Sequence, residues 1–227
     1  FVDTNLPFPT ATTTFTFNGG PFAGQTLIVP RYTGARPNAN FGRITEIRDT
    51  IKSEYYGLVL QANRRLTRGL QFQASYTFSK AKDNGQISQT FTSSNVPLDP
   101  FDLDMEYGTS NLDIPHRFVA SAVYAPGTLF GVGRDSSLGR AIFGGFTISP
   151  IVTIQSGRPY SAGVSGNLPT ALSGVSSGIL GAGGANRLPN VERNAYRLPY
   201  AFNVDLRISR RFRITETANF EVLAEGF

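Results

Sequence analysis

Histidine and carboxylate chemistry come first, because so few residues here offer it. His116 is the single imidazole and there is no cysteine. A general base or a metal ligand needs partners at a workable spacing. His116 has Pro115 and Arg117 as neighbours, at the start of an alternating run, and reads as a strand-end residue. Asp99, Asp102, Asp104 and Glu106 set carboxylates close together. Of these, Asp102, Asp104 and Glu106 make a weak candidate for Ca²⁺, which takes about 6–8 oxygens. No glycine follows at the EF-hand offset, so solvated loop acids are the plainer reading. Gly144-Gly145 and the run Gly181-Ala182-Gly183-Gly184 lack the Lys-Ser/Thr of a phosphate loop. Arg158, Arg187, Arg193 and Arg197 crowd one connection, where they suit an anionic ligand or acidic lipid headgroups equally well. No nucleophile–base pair is present, so neither an enzyme nor a bound cofactor is expected.

The remaining chemistry is uncharged hydrogen bonding. Gln61, Asn63, Gln71, Gln73 and Ser75 alternate with apolar residues, as do Asn203, Asp205 and Arg207. Such side chains hydrate a lumen or touch a passing solute, and residue type alone does not separate these roles. Their positions follow from the runs that carry them. Tyr56, Leu58, Leu60 and Ala62 interleave with Gly57, Val59, Gln61 and Asn63; Leu70, Phe72, Ala74, Tyr76 and Phe78 interleave with Gln71, Gln73, Ser75 and Thr77. Period two is the strand signature. Gly69 supplies the positive φ of a tight hairpin between the two runs. An apolar face opposite an amide-and-hydroxyl face, over about ten residues per strand, describes a transmembrane β-barrel wall. Leu58, Leu60, Phe72, Ala74, Leu206 and Ile208 are then expected to face lipid, and Gln61, Gln73, Asn203 and Asp205 the interior.

Composition agrees. Charged residues make up 16% of 227 and apolar ones 40%, with 24 Gly and 14 Pro, which suits strands joined by long loops. No apolar run reaches the roughly 18 residues of a transmembrane helix. The net charge of +5 comes from scattered arginines, so nucleic acid is not an expected partner. Residues 1–50 are rich in Thr, Pro and Gly and read as an extracellular loop region with a small hairpin (Thr14 to Phe17, then Leu27 to Val29). From 51 to 227 the chain reads as barrel strands at about 54–65, 70–80, 117–124, 146–155, 202–209 and 219–225. Lys82-Asp83-Asn84-Gly85 opens a polar connection to about 115, and 156–199 is a second long loop. Pro150 falls inside the fourth run, which would make it an edge strand or place a bulge there.

The turns at 65–69 and 213–217 are short and the connections 81–115 and 156–199 long, the asymmetry of outer-membrane barrels. The connection 126–144 departs from it, being Gly-rich and longer than the rule asks. Tyr76, Phe78, Phe118, Tyr200 and Phe202 mark one aromatic level, and Tyr124, Phe146 and Phe212 the other. From Phe202 to Phe212, at about 3.3 Å per residue and a tilt near 40°, the height is roughly 25 Å, that of the apolar band.

Several segments resemble the carboxyl-terminal barrel of TonB-dependent outer-membrane receptors, in particular the large Acidobacteria type with a carboxypeptidase-regulatory-like domain upstream. They include Arg36-Pro37 through Phe41-Gly42 with Tyr55-Tyr56-Gly57-Leu58, Asn63 through Leu70, and Ala74 through Lys80. Glu106-Tyr107-Gly108, Asp113-Ile114-Pro115-His116-Arg117-Phe118, Gln155 through Tyr160, Asn203 through Ser209 and Glu221 through Phe227 complete the series. It covers about residues 36–227, and its order and spacing are more specific than any one motif. The resemblance implies energy-coupled import of a large scarce solute, with outer-membrane lipid, an upstream plug and the TonB complex as partners. The expected fold is an all-β antiparallel meander of about six long transmembrane strands, an incomplete piece of a large outer-membrane barrel. Phe1-Val2-Asp3-Thr4 reads as an internal cut, and at least one further strand is expected after Phe227. A passive porin-like channel and a soluble β-sandwich binding module are the competing readings.

Overall fold

The computed structural model describes residues 2–8, 11–17, 20–31, 35–46, 49–85, 102–127, 129–132, 134–162 and 191–227. Asp99, Arg187 and the glycine run from 181 to 184 lie outside them. The strands are β1 (Val2–Asp3), β2 (Ala11–Thr16), β3 (Thr26–Arg31), β4 (Thr45–Glu46), β5 (Ser53–Thr67) and β6 (Leu70–Asp83). They continue with β7 (Gly108–Thr109), β8 (His116–Tyr124), β9 (Phe146–Gln155), β10 (Pro159–Tyr160), β11 (Tyr196–Arg197), β12 (Ala201–Arg213) and β13 (Asn219–Gly226). A short α-helix, α1 (Ser137–Phe143), lies between β8 and β9.

The chain falls into two units. One comprises Tyr56–Lys80, Ile114–Gly157 and Pro199–Phe227. Its long strands pair in the order β13-β12-β9-β8-β6-β5, so chain neighbours are also sheet neighbours and the sheet is an antiparallel meander. The register explains the two-faced sequence. Phe72 pairs with Ala122, Ala74 with Ala120 and Tyr76 with Phe118. Phe118 pairs with Ile154 and Ala120 with Val152. Across the next interface Phe202 meets Ile154, Val204 meets Val152 and Ile208 meets Ile148. Directly paired residues share a face, so the apolar sets of β6, β8, β9, β12 and β13 merge into one apolar surface. Gln73, Ser121, Ile151 and Asp205 are linked in the same way on the opposite side. Leu6 is the one large apolar side chain fully buried among the described residues. A soluble sandwich stands on a buried apolar core; this sheet keeps its apolar face open.

Two expectations change. Pro150 lies in a central strand, paired on both sides, and marks neither an edge nor a bulge. β9 keeps constant register with β12 from Phe146 to Gln155. Its ladder with β8 skips Ser149 and Pro150 and resumes at Ile148 opposite Tyr124 in the same register. That gap is what one missing N–H removes from an antiparallel ladder. The connection after β8 is also more than a Gly-rich loop: a 3-10 turn at Leu129–Gly131 is followed by α1, whose N-cap Ser136 accepts a bond from the Gly139 N–H. The strands overrun their expected ends as well, β6 reaching Asp83 and β12 reaching Arg213.

The other unit comprises Phe1–Tyr55, Ala81–Asp113 and Arg158–Leu198. It holds the β2–β3 hairpin and the two-residue ladders β1–β4 and β10–β11. Polar anchors shape it. The buried Asn5 amide donates to the carbonyls of Asn38, Phe41 and Gly42, while its oxygen accepts from the Asn38 N–H.

Candidate functional site

Two polar assemblies stand out, one in each unit. In the meander, the polar face carries Gln71, Gln73, Ser121, Ser149, Asp205, Arg207 and Glu225, with the apolar Val123 and Ile151 among them, around a depression of about 370 Å³. The cross-strand pairs β12–β13 put opposite charges face to face. Arg207 Nε lies 3.7 Å from Glu225 Oε1, and Arg211 Nη2 lies 3.5 Å from Glu221 Oε2. Asn203 Nδ2 donates to Asp205 Oδ1 at 2.8 Å, two residues along the same face. The candidates Gln71, Gln73, Ser75, Asn203, Asp205 and Arg207 therefore share one surface. Gln61 and Asn63 are exposed on β5, the end strand of the sheet order. The surface is amphoteric, offering donors, acceptors and paired charges. Its chemistry is wetting and weak polar contact.

His116 sits on the opposite, apolar face, paired with Phe78. Its Nδ1 is 2.8 Å from the Tyr76 hydroxyl, and its ring centroid is 5.2 Å from that of Phe78. With Phe118 these rings form one aromatic level. Tyr124, Phe146, Phe212 and Phe220 form the other on the same face, the last two with ring centroids 6.3 Å apart. The imidazole packs here among aromatic rings. No group of three or more His, Asp or Glu side chains poised for a metal occurs among the described residues. Asp102 instead caps the short 3-10 turn Leu103–Glu106, accepting from the Asp104 N–H at 3.2 Å, and Glu106 is buried. Asp104 is exposed.

In the second unit the two long connections are bound to each other. Arg193 donates to the Asp83 carboxylate, to the Asp83 carbonyl and to the Gly85 carbonyl. Asn194 Nδ2 donates to Thr109 O and Asn111 Oδ1, both at 2.7 Å, and its N–H donates to Ser161 Oγ. Arg197 Nη2 donates to Asp113 Oδ2 at 2.6 Å, while Asp113 Oδ1 accepts from the Ala81 N–H at 2.6 Å. Of the four arginines offered as anion ligands, Arg193 is thus buried and spent on this network, and Arg197 is ion-paired. Arg158 is exposed. Asn5, Asp113 and Asn194 are the residues that sequence reasoning passed over. Polar residues of loops carry no period, and only the Asp113-Ile114-Pro115 motif marked one of the three.

Among known protein families, the outer membrane beta barrel domain matches residues 2–182. No curated protein matches the chain. No solved structure matches it either.

Proposed function

Because the chain belongs to the outer membrane beta barrel domain family, we propose that its strands form part of the wall of a TonB-dependent receptor importing a large scarce solute, such as a siderophore or glycan. The family places the chain in the bacterial outer membrane. In that setting the continuous apolar face meets lipid, and the depressed polar face lines the lumen. The carrying observation is strand length. β5 and β6 have 15 and 14 residues, whereas about 9–11 tilted residues cross the bilayer. The excess continues the wall past the hydrocarbon layer, where it leaves room for a large ligand. The order and spacing of the segments from Arg36-Pro37 to Glu221-Val222 support the same reading. An upstream plug and the TonB complex are its partners, and no cofactor is needed. Arg207, Asp205, Asn203, Gln71, Gln73 and Ser75 are the wall side chains assigned to the plug or the passing solute.

Uptake in cells making the whole protein tests this. Accumulation of the solute should stop when TonB is deleted or the proton-motive force collapsed. Uptake that persists in de-energised cells would make the barrel a passive channel.

A further inference from the structure

The connection between β8 and β9 exposes apolar side chains that an aqueous loop has no reason to carry. Phe130 and Leu138 are each 70% exposed, and Val132 and Ile142 about half so. Leu138 and Ile142 stand at i and i+4 on α1, so they share one side of the helix. This segment is fixed to the apolar face of the meander at both ends. The Phe130 ring stacks on Tyr124, centroids 5.7 Å apart, and Tyr124 is in register with Ile148 and Leu70. From β12, Arg210 projects on the apolar face, its guanidinium 5.1 Å from the Phe146 ring and 4.3 Å from the Phe212 ring, and it donates to the Ala141 carbonyl. Phe130 itself is held at φ +50°, a left-handed conformation that a bulky residue adopts only under constraint.

Polarity completes the pattern. Arg134 and Arg140 are exposed beside these apolar groups, with Asp135 the one acid between Leu129 and Phe143. The segment lies at the short-turn end of the meander: the Ala125 N–H donates to Gly69 O at 2.6 Å, and the Arg211 N–H donates to Gly145 O at 2.9 Å. Short turns of such barrels are periplasmic.

We propose that residues 129–132 and 134–143 form an interfacial anchor, with Phe130, Val132, Leu138 and Ile142 dipping into the phospholipid leaflet, Arg134 and Arg140 meeting anionic headgroup phosphates, and Arg210 tying the segment to the wall. Its apolar surface is continuous with the lipid-facing wall, and its basic groups complement an anionic leaflet, as in monotopic amphipathic helices. The placement holds whether the barrel is energised or passive.

Because the chain lacks cysteine, single labels are simple to place. The whole protein, with any other cysteine removed, is labelled at Leu138→Cys or Thr217→Cys with an environment-sensitive fluorophore. It is then reconstituted into phosphatidylcholine vesicles with or without phosphatidylglycerol, and heat-modifiable gel mobility checks that each variant is folded. The label at 138 should be quenched by lipids carrying a nitroxide near the headgroup and shielded from aqueous iodide. The label at the turn tip, 217, should show the opposite. Arg134→Gln with Arg140→Gln should reduce several-fold the preference of the 138 label for phosphatidylglycerol-linked over phosphatidylcholine-linked nitroxide. Iodide quenching at 138 would overturn the proposal. So would shielding from both quenchers, which would assign the surface to a protein partner or a second copy. An unchanged lipid preference in the double variant would remove the role of the arginines.

Discussion

Arg197 places its guanidinium 2.6 Å from the carboxylate of Asp113, whose side chain has no solvent exposure at all. A buried carboxylate is costly unless it is paired and hydrogen-bonded, and here the Ala81 N–H takes the second oxygen. Removing the Asp113 carboxylate leaves the Ala81 N–H without its acceptor and Arg197 without its counter-charge, a loss of about 1–3 kcal/mol. Asp113→Ala should therefore loosen the connections 81–113 and 158–198. Protease added to intact cells should cut them much faster than in the parent. Heat-modifiable gel mobility of the barrel should not change. Equal protease resistance in variant and parent would mean that the pair organises nothing.

The hairpin between β5 and β6 turns on Arg68 and Gly69, both with positive φ, at 51° and 77°. That is the backbone of a type I′ turn, which favours Asn-Gly. A Cβ at residue 69 would also run into the backbone of Ala125 and Pro126. Gly69→Ala should lower stability by at least about 1–2 kcal/mol. Arg68→Asn should raise it by a few tenths to about 1 kcal/mol, since Asn visits this region more readily. Reversible urea unfolding into vesicles measures both, and the two shifts should have opposite signs.

These cases also separate what the residues declare from what they conceal. Period-two alternation gave six strands and both aromatic levels, because each strand side chain answers to the environment of its own face. Gly69 was readable because a tight turn demands its φ. Asp113, Asn194 and Asn5 were not, since their partners lie 84, 83 and 33 positions away and a loop hydrogen bond leaves no periodic trace. Arg193 looked like an open ligand for the same reason: its counter-charge, Asp83, is 110 positions distant. Pro150 misled in the other direction, because the rule against central-strand proline assumes that a lost N–H breaks the register.

The ladder around Pro150 makes that last point measurable. The strands keep their alignment on either side of the gap, so an alanine there can donate into it without moving the backbone. Pro150→Ala should restore one ladder bond, worth about 0.5–1.5 kcal/mol net. It gives back about 0.4–1 kcal/mol through the freer unfolded chain. Net stability should change by less than about 1 kcal/mol on these two figures. The new amide at 150 should be strongly protected from hydrogen exchange. A rapidly exchanging amide would show that the gap reflects separated strands rather than a missing donor.

The assignment of lipid and lumen faces rests on register, and charge insertion tests it directly. Leu206 pairs with Pro150 and Gly226 on the apolar face, about midway between the two aromatic levels. Asn203 pairs with Thr153 on the polar face, where Asp205 already accepts its amide. An arginine placed at 206 must carry its charge into hydrocarbon. At 203 it would meet water and a carboxylate. Leu206→Arg should therefore cost about 2–4 kcal/mol near the bilayer midplane, with Asn203→Arg costing far less. Folding equilibria of the whole barrel in vesicles report both. A similar loss at the two sites would mean that neither face is lipid-exposed, and a larger loss at 203 would turn the wall inside out.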